Sequence, residues 1–157
     1  MKYRVPRLPT EVAAERWITD LDENRVFRLE TVPHGRALAV VVANEDGETL
    51  ATVRVQRKLT GTAAAVEIGG ALFAALALQG PKRKGSVRVR CEGDEYIIAG
   101  DFEAWDFHVL LNTSPVADVA PRRTEEAVAL VETSEHEEQL PLLALVLAVD
   151  LLVQAAR

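Results

Sequence analysis

A long apolar run near the C-terminus limits what this chain can fold into more than any other feature. Every residue from Leu140 to Val153 is apolar except Asp150. Pro141 falls where a helix tolerates proline, in its first turn. Glutamates precede the run and an arginine follows it, which suits the helix dipole at both ends. We therefore predict a helix over residues 138–155, about 27 Å long at about 1.5 Å per residue.

This helix has no polar face, so it has to be buried on all sides. A membrane, an interface between chains or a sheet of the same chain would each bury it. A membrane span needs about 20 apolar residues, whereas this run covers only residues 140–153 and carries a carboxylate near its end. We therefore predict that the helix is not transmembrane and that strands of the same chain surround it.

The chain before residue 130 alternates between apolar and polar residues with a period of two, which is typical of strands with one face on a core. The apolar positions of four such runs are Phe27 and Leu29; Val53 and Val55; Val87, Val89 and Cys91; and Phe107, Val109 and Leu111. Turn-forming sequences separate the runs, at 22–24, 44–47, 69–70, 92–94 and 112–115, and several supply the positive φ angles of tight hairpins. We count about ten to twelve candidate strands, and we predict that the apolar segment 71–78, bounded by Gly-Gly and Gly-Pro, is one of them.

A mainly β fold follows from these two patterns. Only strands are available to cover the helix, and closing the sheet around it also removes exposed sheet edges. We predict an antiparallel, closed or nearly closed barrel around a buried C-terminal helix. The length of 157 residues suits one domain, residues 1–157, with one core.

Composition narrows the function classes. The chain is 48% apolar and 27% charged, which is ordinary for a globular protein. Its net charge of −6 argues against nucleic acid as a partner. The single cysteine, Cys91, allows no intrachain disulfide, and no secretory signal is visible, so we expect a cytoplasmic location. The excess of arginine over lysine, with abundant alanine and valine, is typical of a bacterial genome rich in GC.

Four motifs in order along the chain resemble those of one family. They are WITDLDENRVFRLE (Trp17–Glu30), NEDGETLATVRVQRKL (Asn44–Leu59), YIIAGDFEAWDFHVL (Tyr96–Leu110) and LLALVLAVDLLV (Leu142–Val153). Together they resemble the LURP-one-related proteins, which share the tubby C-terminal-like fold with tubby proteins and phospholipid scramblases. The resemblance implies a twelve-stranded antiparallel barrel threaded by the C-terminal helix.

The chain departs from that family at two places. Arg25 stands where the first turn usually has glycine, and the apolar stretch from Gly61 to Gly80 is less typical. The residues before Arg25 begin like a calcium loop, with Asp20, Asp22 and Asn24 at alternate positions. Arg25 occupies the position that requires glycine, and no glutamate closes the loop. We therefore predict a hairpin turn there.

Residues with catalytic or metal-binding chemistry are few. His34, His108 and His136 are far apart, so we predict no metal and no cofactor. Cys91 follows the apolar alternation of its strand and is predicted to be a small core residue.

The only carboxylate–imidazole cluster consists of Asp101, Asp106 and His108. Asp106 and His108 share one strand face, which is predicted to face solvent. We favour a structural role for these residues and keep an enzyme built on them as an alternative. Asp150 would meet an arginine or strand N–H groups at the barrel mouth, or else anchor a ligand inside the barrel.

A basic segment provides the candidate ligand-binding residues, which are Lys82, Arg83, Lys84, Arg88 and Arg90. A second basic group consists of Arg54, Arg57 and Lys58. Such a patch attracts anionic lipid headgroups by about 1 kcal/mol per charge near the membrane surface. The sequence therefore predicts a binding module, not an enzyme, that recognises anionic lipid headgroups or a membrane surface through residues 82–90. The alternative is a protein-interaction or structural scaffold without a small ligand.

Overall fold

The computed structural model describes residues 1–7, 15–35, 37–58, 61–79, 84–122 and 128–155, with the backbone alone at 57 and 58. Twelve strands precede one helix along the chain. The strands are β1 (Lys2–Pro6), β2 (Glu15–Asp20), β3 (Arg25–His34), β4 (Ala37–Ala43), β5 (Thr49–Lys58), β6 (Gly61–Ile68), β7 (Ala71–Ala77), β8 (Gly85–Cys91), β9 (Asp94–Asp101), β10 (Asp106–Leu111), β11 (Ser114–Pro121) and β12 (Val128–Thr133), and the helix is α1 (Gln139–Ala155). The mainly β fold class predicted from the sequence is confirmed.

All twelve strands belong to one antiparallel sheet that curls into a nearly closed barrel. The strand order is β7-β6-β5-β4-β3-β2-β1-β12-β11-β10-β9-β8, so two meanders are joined where β1 pairs with β12. The two outermost strands, β7 and β8, meet on the far side. There Gln79 and Ser86 exchange two backbone hydrogen bonds with N···O distances of 3.0 Å.

The two-residue alternation of the sequence sets which side chains enter the barrel. In β8, Val87, Val89 and Cys91 are buried, while Arg88 and Arg90 are exposed. The apolar segment after Gly70 forms β7, as predicted, because its residues also alternate between the barrel interior and its outer face.

The helix fills the barrel. All residues from Pro141 to Val153 are buried, which confirms the prediction of a helix enclosed on all sides. The helix begins at Gln139, one residue later than predicted. No helix in the described part of the chain is long and apolar enough to cross a membrane.

Hydrogen bonds of Gln139 fix the start of the helix to the barrel. Its side-chain oxygen accepts from the Tyr3 hydroxyl at 3.1 Å and from the Thr133 hydroxyl. Its amide nitrogen donates to the backbone oxygens of Ser134 at 2.9 Å and Glu137 at 2.8 Å. One side chain thereby links the helix with β1 and β12.

Two predicted turns have different outcomes. The segment after Asp20 is a hairpin turn, as expected, in which Asp20 Oδ1 accepts the backbone N–H groups of Asp22 and Asn24, both at 2.9 Å. The turn predicted at 112–115 is shorter than expected. Asn112 and Thr113, with φ angles of 48° and 72°, complete a tight turn by themselves, so Ser114 already begins β11.

Candidate functional site

The junction between β7 and β8, here called the seam, is the one place where neighbouring described strands of the barrel lack a hydrogen-bonded ladder. Continuing the register of the Gln79–Ser86 bridge would pair Ala77 with Arg88, but no such pairing forms. Instead the Cys91 thiol donates to the backbone oxygen of Phe73 across the seam, with an S···O distance of 3.0 Å. The barrel is therefore closed by isolated contacts here.

A bulge interrupts the β6–β7 ladder beside the seam. On the neighbouring strand β6, Val66 pairs with Ala74 but Glu67 pairs with Leu72, which leaves Phe73 as the extra residue. A bulged strand bends, and bulges at barrel rims often re-aim a side chain. The ring of Phe73 packs edge-on against Tyr96 of β9, with centroids 6.0 Å apart and an interplanar angle of 63°.

A cavity of about 640 Å³ lies beside these rings, within the range of about 300–1,000 Å³ typical of ligand sites. We call it the seam cavity. It is lined by Ile68, residues 71–75, residues 90–92, Asp94 and Tyr96. Polar and apolar atoms contribute about equally to this lining, and its charged side chains, Arg90, Glu92 and Asp94, come from the β8–β9 hairpin.

The charged groups of the seam cavity are arranged unequally. Arg90 has a side chain that is 82% exposed, and its Nε lies 3.3 Å from Glu95 Oε2, so the cation is directed to the outer face. Asp94 Oδ1 accepts a hydrogen bond from Asn112 Nδ2 at 2.8 Å, which fixes the carboxylate near the cavity. Glu92 adds a second negative charge to the lining.

Two titratable groups of the cavity stay protonated at neutral pH. Burial raises the pKa of the Cys91 thiol above its usual value, with further contributions from Asp94 and Glu92. Burial also raises the pKa of the Tyr96 hydroxyl, followed by the charges of Cys91, Glu137, Asp94 and Glu138. The prediction that Cys91 is a small core residue is confirmed by its burial.

The basic segment lies along the outer face of the seam. Lys84, Arg88 and Arg90 are exposed, and Arg88 and Arg90 point outward because they alternate with the buried residues of β8. Lys82 and Arg83 lie outside the described residues. In the second basic group, Arg54 forms an ion pair with Glu67 of β6, and the side chains of residues 57 and 58 are outside the described part.

The carboxylate–imidazole cluster is spread over a solvent-facing surface. Asp106 and His108 are exposed, as expected from the buried Phe107 and Val109 between and beside them. Asp101 Oδ1 accepts the backbone N–H of Ala104 at 3.0 Å, which is the turn role expected from the sequence. None of the three lines the seam cavity.

The remaining candidates give no grouped site. His34 and His136 are exposed and distant in the chain, and within the described ranges no three His, Cys, Asp or Glu side chains are placed to hold a metal ion. Asp150 is 1% exposed, so its carboxylate lies inside the barrel with the rest of the helix.

Sequence reasoning missed the seam cavity. Phe73, Cys91 and Tyr96 come from three strands, and the sequence offers them separately: Phe73 in the apolar segment 71–78, Cys91 in an alternating run and Tyr96 in a family-like motif. The usable signal was the pair of Gly-containing turns, at 69–70 and 92–94, which the barrel brings to the same end of the seam.

Comparison with known proteins supports the architecture. The X-ray structure of a protein from Arabidopsis thaliana superposes with a TM-score of 0.63 at 16% sequence identity, covering 99% of this chain and 92% of that one. At this identity the likeness establishes the fold alone. No protein-family model and no curated protein sequence matches the chain, so membership of the LURP-one-related family stays a prediction.

Proposed function

We propose that the protein is a non-enzymatic binding module that attaches to anionic membrane surfaces through the outer face of the seam. The residues that we assign to this contact are Lys84, Arg88 and Arg90, together with Lys82 and Arg83, which precede them in the sequence. The observation that carries the proposal is the outward alternation of Arg88 and Arg90 along β8, at the side of an otherwise acidic protein.

The neighbours of these cations suit a membrane surface. Ile97 of β9 is paired with Arg88 and is only half-buried, and the exposed side chains of β7 are apolar, including Ala75 and Ala77. Leu72 is 65% exposed. Cations that stand beside small apolar side chains attract lipid headgroups by charge and allow close approach to the interface.

The arrangement of the carboxylate–imidazole cluster supports a non-catalytic role. His108 stands on a strand face open to solvent, where water screens its interaction with neighbouring carboxylates. A general base works best in a site that limits water and adjusts its pKa.

An interaction with another protein is the second candidate. The strand β7 reads ALFAALA, without a charged residue or proline, whereas exposed edge strands usually carry such residues to prevent pairing with other chains. A partner strand on β7 would use the backbone groups that β8 leaves unpaired along the seam.

Co-sedimentation with vesicles separates these candidates. Vesicles of phosphatidylcholine alone are compared with vesicles that also contain phosphatidylserine, at low and high salt. We expect binding only to the anionic vesicles and a loss of binding at high salt, because salt screens exposed charges. The Lys84→Glu/Arg88→Glu double variant should weaken binding at least about 25-fold, since each lost cation removes about 1 kcal/mol.

The matched control is Lys2→Glu/Arg16→Glu. This variant changes the net charge by the same amount, and both residues are exposed. They belong to β1 and β2, which are far from the seam in the strand order of the sheet. Equal losses from both pairs would mean that net charge alone drives binding. Absence of binding to any vesicle would refute the membrane proposal and favour the protein-interaction candidate.

A further inference from the structure

We propose that the seam cavity binds a primary alkylammonium group attached to a short apolar body. This inference does not depend on the membrane contact proposed for the outer face of the seam, although Leu72, Ala75 and Arg90 belong to both surfaces. It rests on the aromatic walls of the cavity, on its negative charges and on the Tyr96 hydroxyl.

Two aromatic rings form a corner of the cavity. Phe73 and Tyr96 meet at 63° and both line the open space, so a guest in the cavity contacts aromatic surface from two directions. The faces of such rings attract ammonium groups, and desolvation strengthens this attraction. The bulge makes Phe73 the extra residue of β7, and its backbone oxygen accepts the Cys91 thiol across the seam.

The charges around the corner favour a cation. Glu92 and Asp94 line the cavity, and Glu137 and Glu138 are close enough to raise the pKa of Tyr96. Among the described lining residues the only cation is Arg90, which is directed outward to Glu95. An anionic guest would meet uncompensated carboxylates, whereas an ammonium group would offset them.

The Tyr96 hydroxyl supplies the polar contact. The side chain is only 9% exposed and lines the cavity, and its hydroxyl makes no hydrogen bond to any group in the described part of the chain. The hydroxyl oxygen is not fully enclosed, so a guest in the cavity can reach it. A primary ammonium has three donors and no acceptor, so one N–H reaches the tyrosine oxygen while others reach the carboxylates.

The apolar remainder of the lining determines the rest of the guest. Ile68, Leu72 and the alanines of β7 offer no hydrogen-bonding side chains, so they suit a hydrocarbon body. Each methylene group of that body that leaves water strengthens binding. An amine with a chain of a few carbons contacts both the charged and the apolar side chains of the lining, whereas a bare ammonium ion would contact only the charged ones.

Titration calorimetry with three probes of similar shape tests the proposal. The probes are n-butylammonium, the neutral alcohol n-pentanol and the anion pentanoate. We expect n-butylammonium to bind at least about tenfold more tightly than either of the others, because only the cation gains from the carboxylates and the ring faces. Equal affinity for all three, or no binding of n-butylammonium at any soluble concentration, would overturn the proposal.

Variants identify the site. Glu92→Gln should weaken n-butylammonium binding about three- to tenfold, whereas Glu45→Gln, which changes an exposed glutamate in the turn after β4, should leave it unchanged. Tyr96→Phe keeps the ring and removes the hydroxyl acceptor, so it should also weaken binding. Circular dichroism of each variant shows whether it is folded. Equal effects of Glu92→Gln and Glu45→Gln would remove the cavity as the site.

A second readout does not depend on affinity. Neighbouring carboxylates contribute to the raised pKa of Tyr96, and a bound cation would offset them. Saturating n-butyltrimethylammonium, which stays charged at the alkaline pH where tyrosine ionises, should therefore lower the pH at which tyrosinate absorbance appears. The shift should be absent in Tyr96→Phe, which retains only Tyr3. A shift that persists in that variant would show that the amine acts elsewhere.

Discussion

The enclosed helix can be tested by truncating leucines on its opposite sides. Leu145 and Leu147 are both 0% exposed, and two residues correspond to about 200° around a helix of 3.6 residues per turn. Leu145→Ala and Leu147→Ala should each lower the free energy of unfolding by about 3–5 kcal/mol, because each leaves a cavity among fully packed neighbours. Equilibrium unfolding in urea, followed by circular dichroism, measures both losses.

The two losses should be similar, and that equality is the informative result. A helix that lies on an open sheet would lose several kcal/mol on its inner side and little on its outer side. Leu21→Ala provides the control, because Leu21 is 48% exposed in the turn after β2 and its truncation should change stability by no more than about 0.5 kcal/mol. A loss below about 1 kcal/mol at either Leu145 or Leu147 would refute enclosure by the barrel.

Two further predictions concern turns and strand ends. Gly100 has a φ of +146°, and a Cβ there would lie 2.5 Å from the backbone oxygen of Asp106, so Gly100→Ala should lower the free energy of unfolding in urea by about 2–4 kcal/mol. Gly47→Ala, where no atom lies within 4 Å of the added Cβ, strains only the backbone and should lower it by about 1–2 kcal/mol. Equal losses would contradict the steric argument. The hydrogen bond from the Asn24 side chain, followed by that from the Asn24 backbone, lowers the pKa of Asp20 below its usual 3.8. The stabilisation from the Asp20 carboxylate is therefore present above pH 3.8 and is lost as the pH falls through the lowered pKa. The stability difference between the native chain and Asp20→Asn should therefore shrink in acid, and a difference that is the same at neutral and strongly acidic pH would contradict the assignment.

Much of the fold was predictable because it is encoded in local periodicity. The apolar run at 140–153 predicted an enclosed helix, and the alternation of residues such as Val87 and Val89 predicted which face of each strand points into the barrel. Periodicity does not encode which strands end a sheet or where a bulge falls. The extra residue at Phe73 and the seam beside it therefore needed coordinates. So did the ion pairs of Arg54 with Glu67 and of Arg90 with Glu95, which offset one cation in each basic group.

The filled barrel restricts where any ligand can bind. Larger barrels hold ligands in their interior, but an interior occupied by side chains offers no such space, and here α1 occupies it with every residue from 141 to 153 buried. Strands with two neighbours have already used their backbone hydrogen bonds in ladders. Only β7 and β8 meet without a ladder, and the cations of β8 and the seam cavity both lie there. The one stretch of open strand edge among the described residues therefore lies at the seam, which is why both proposals concern it.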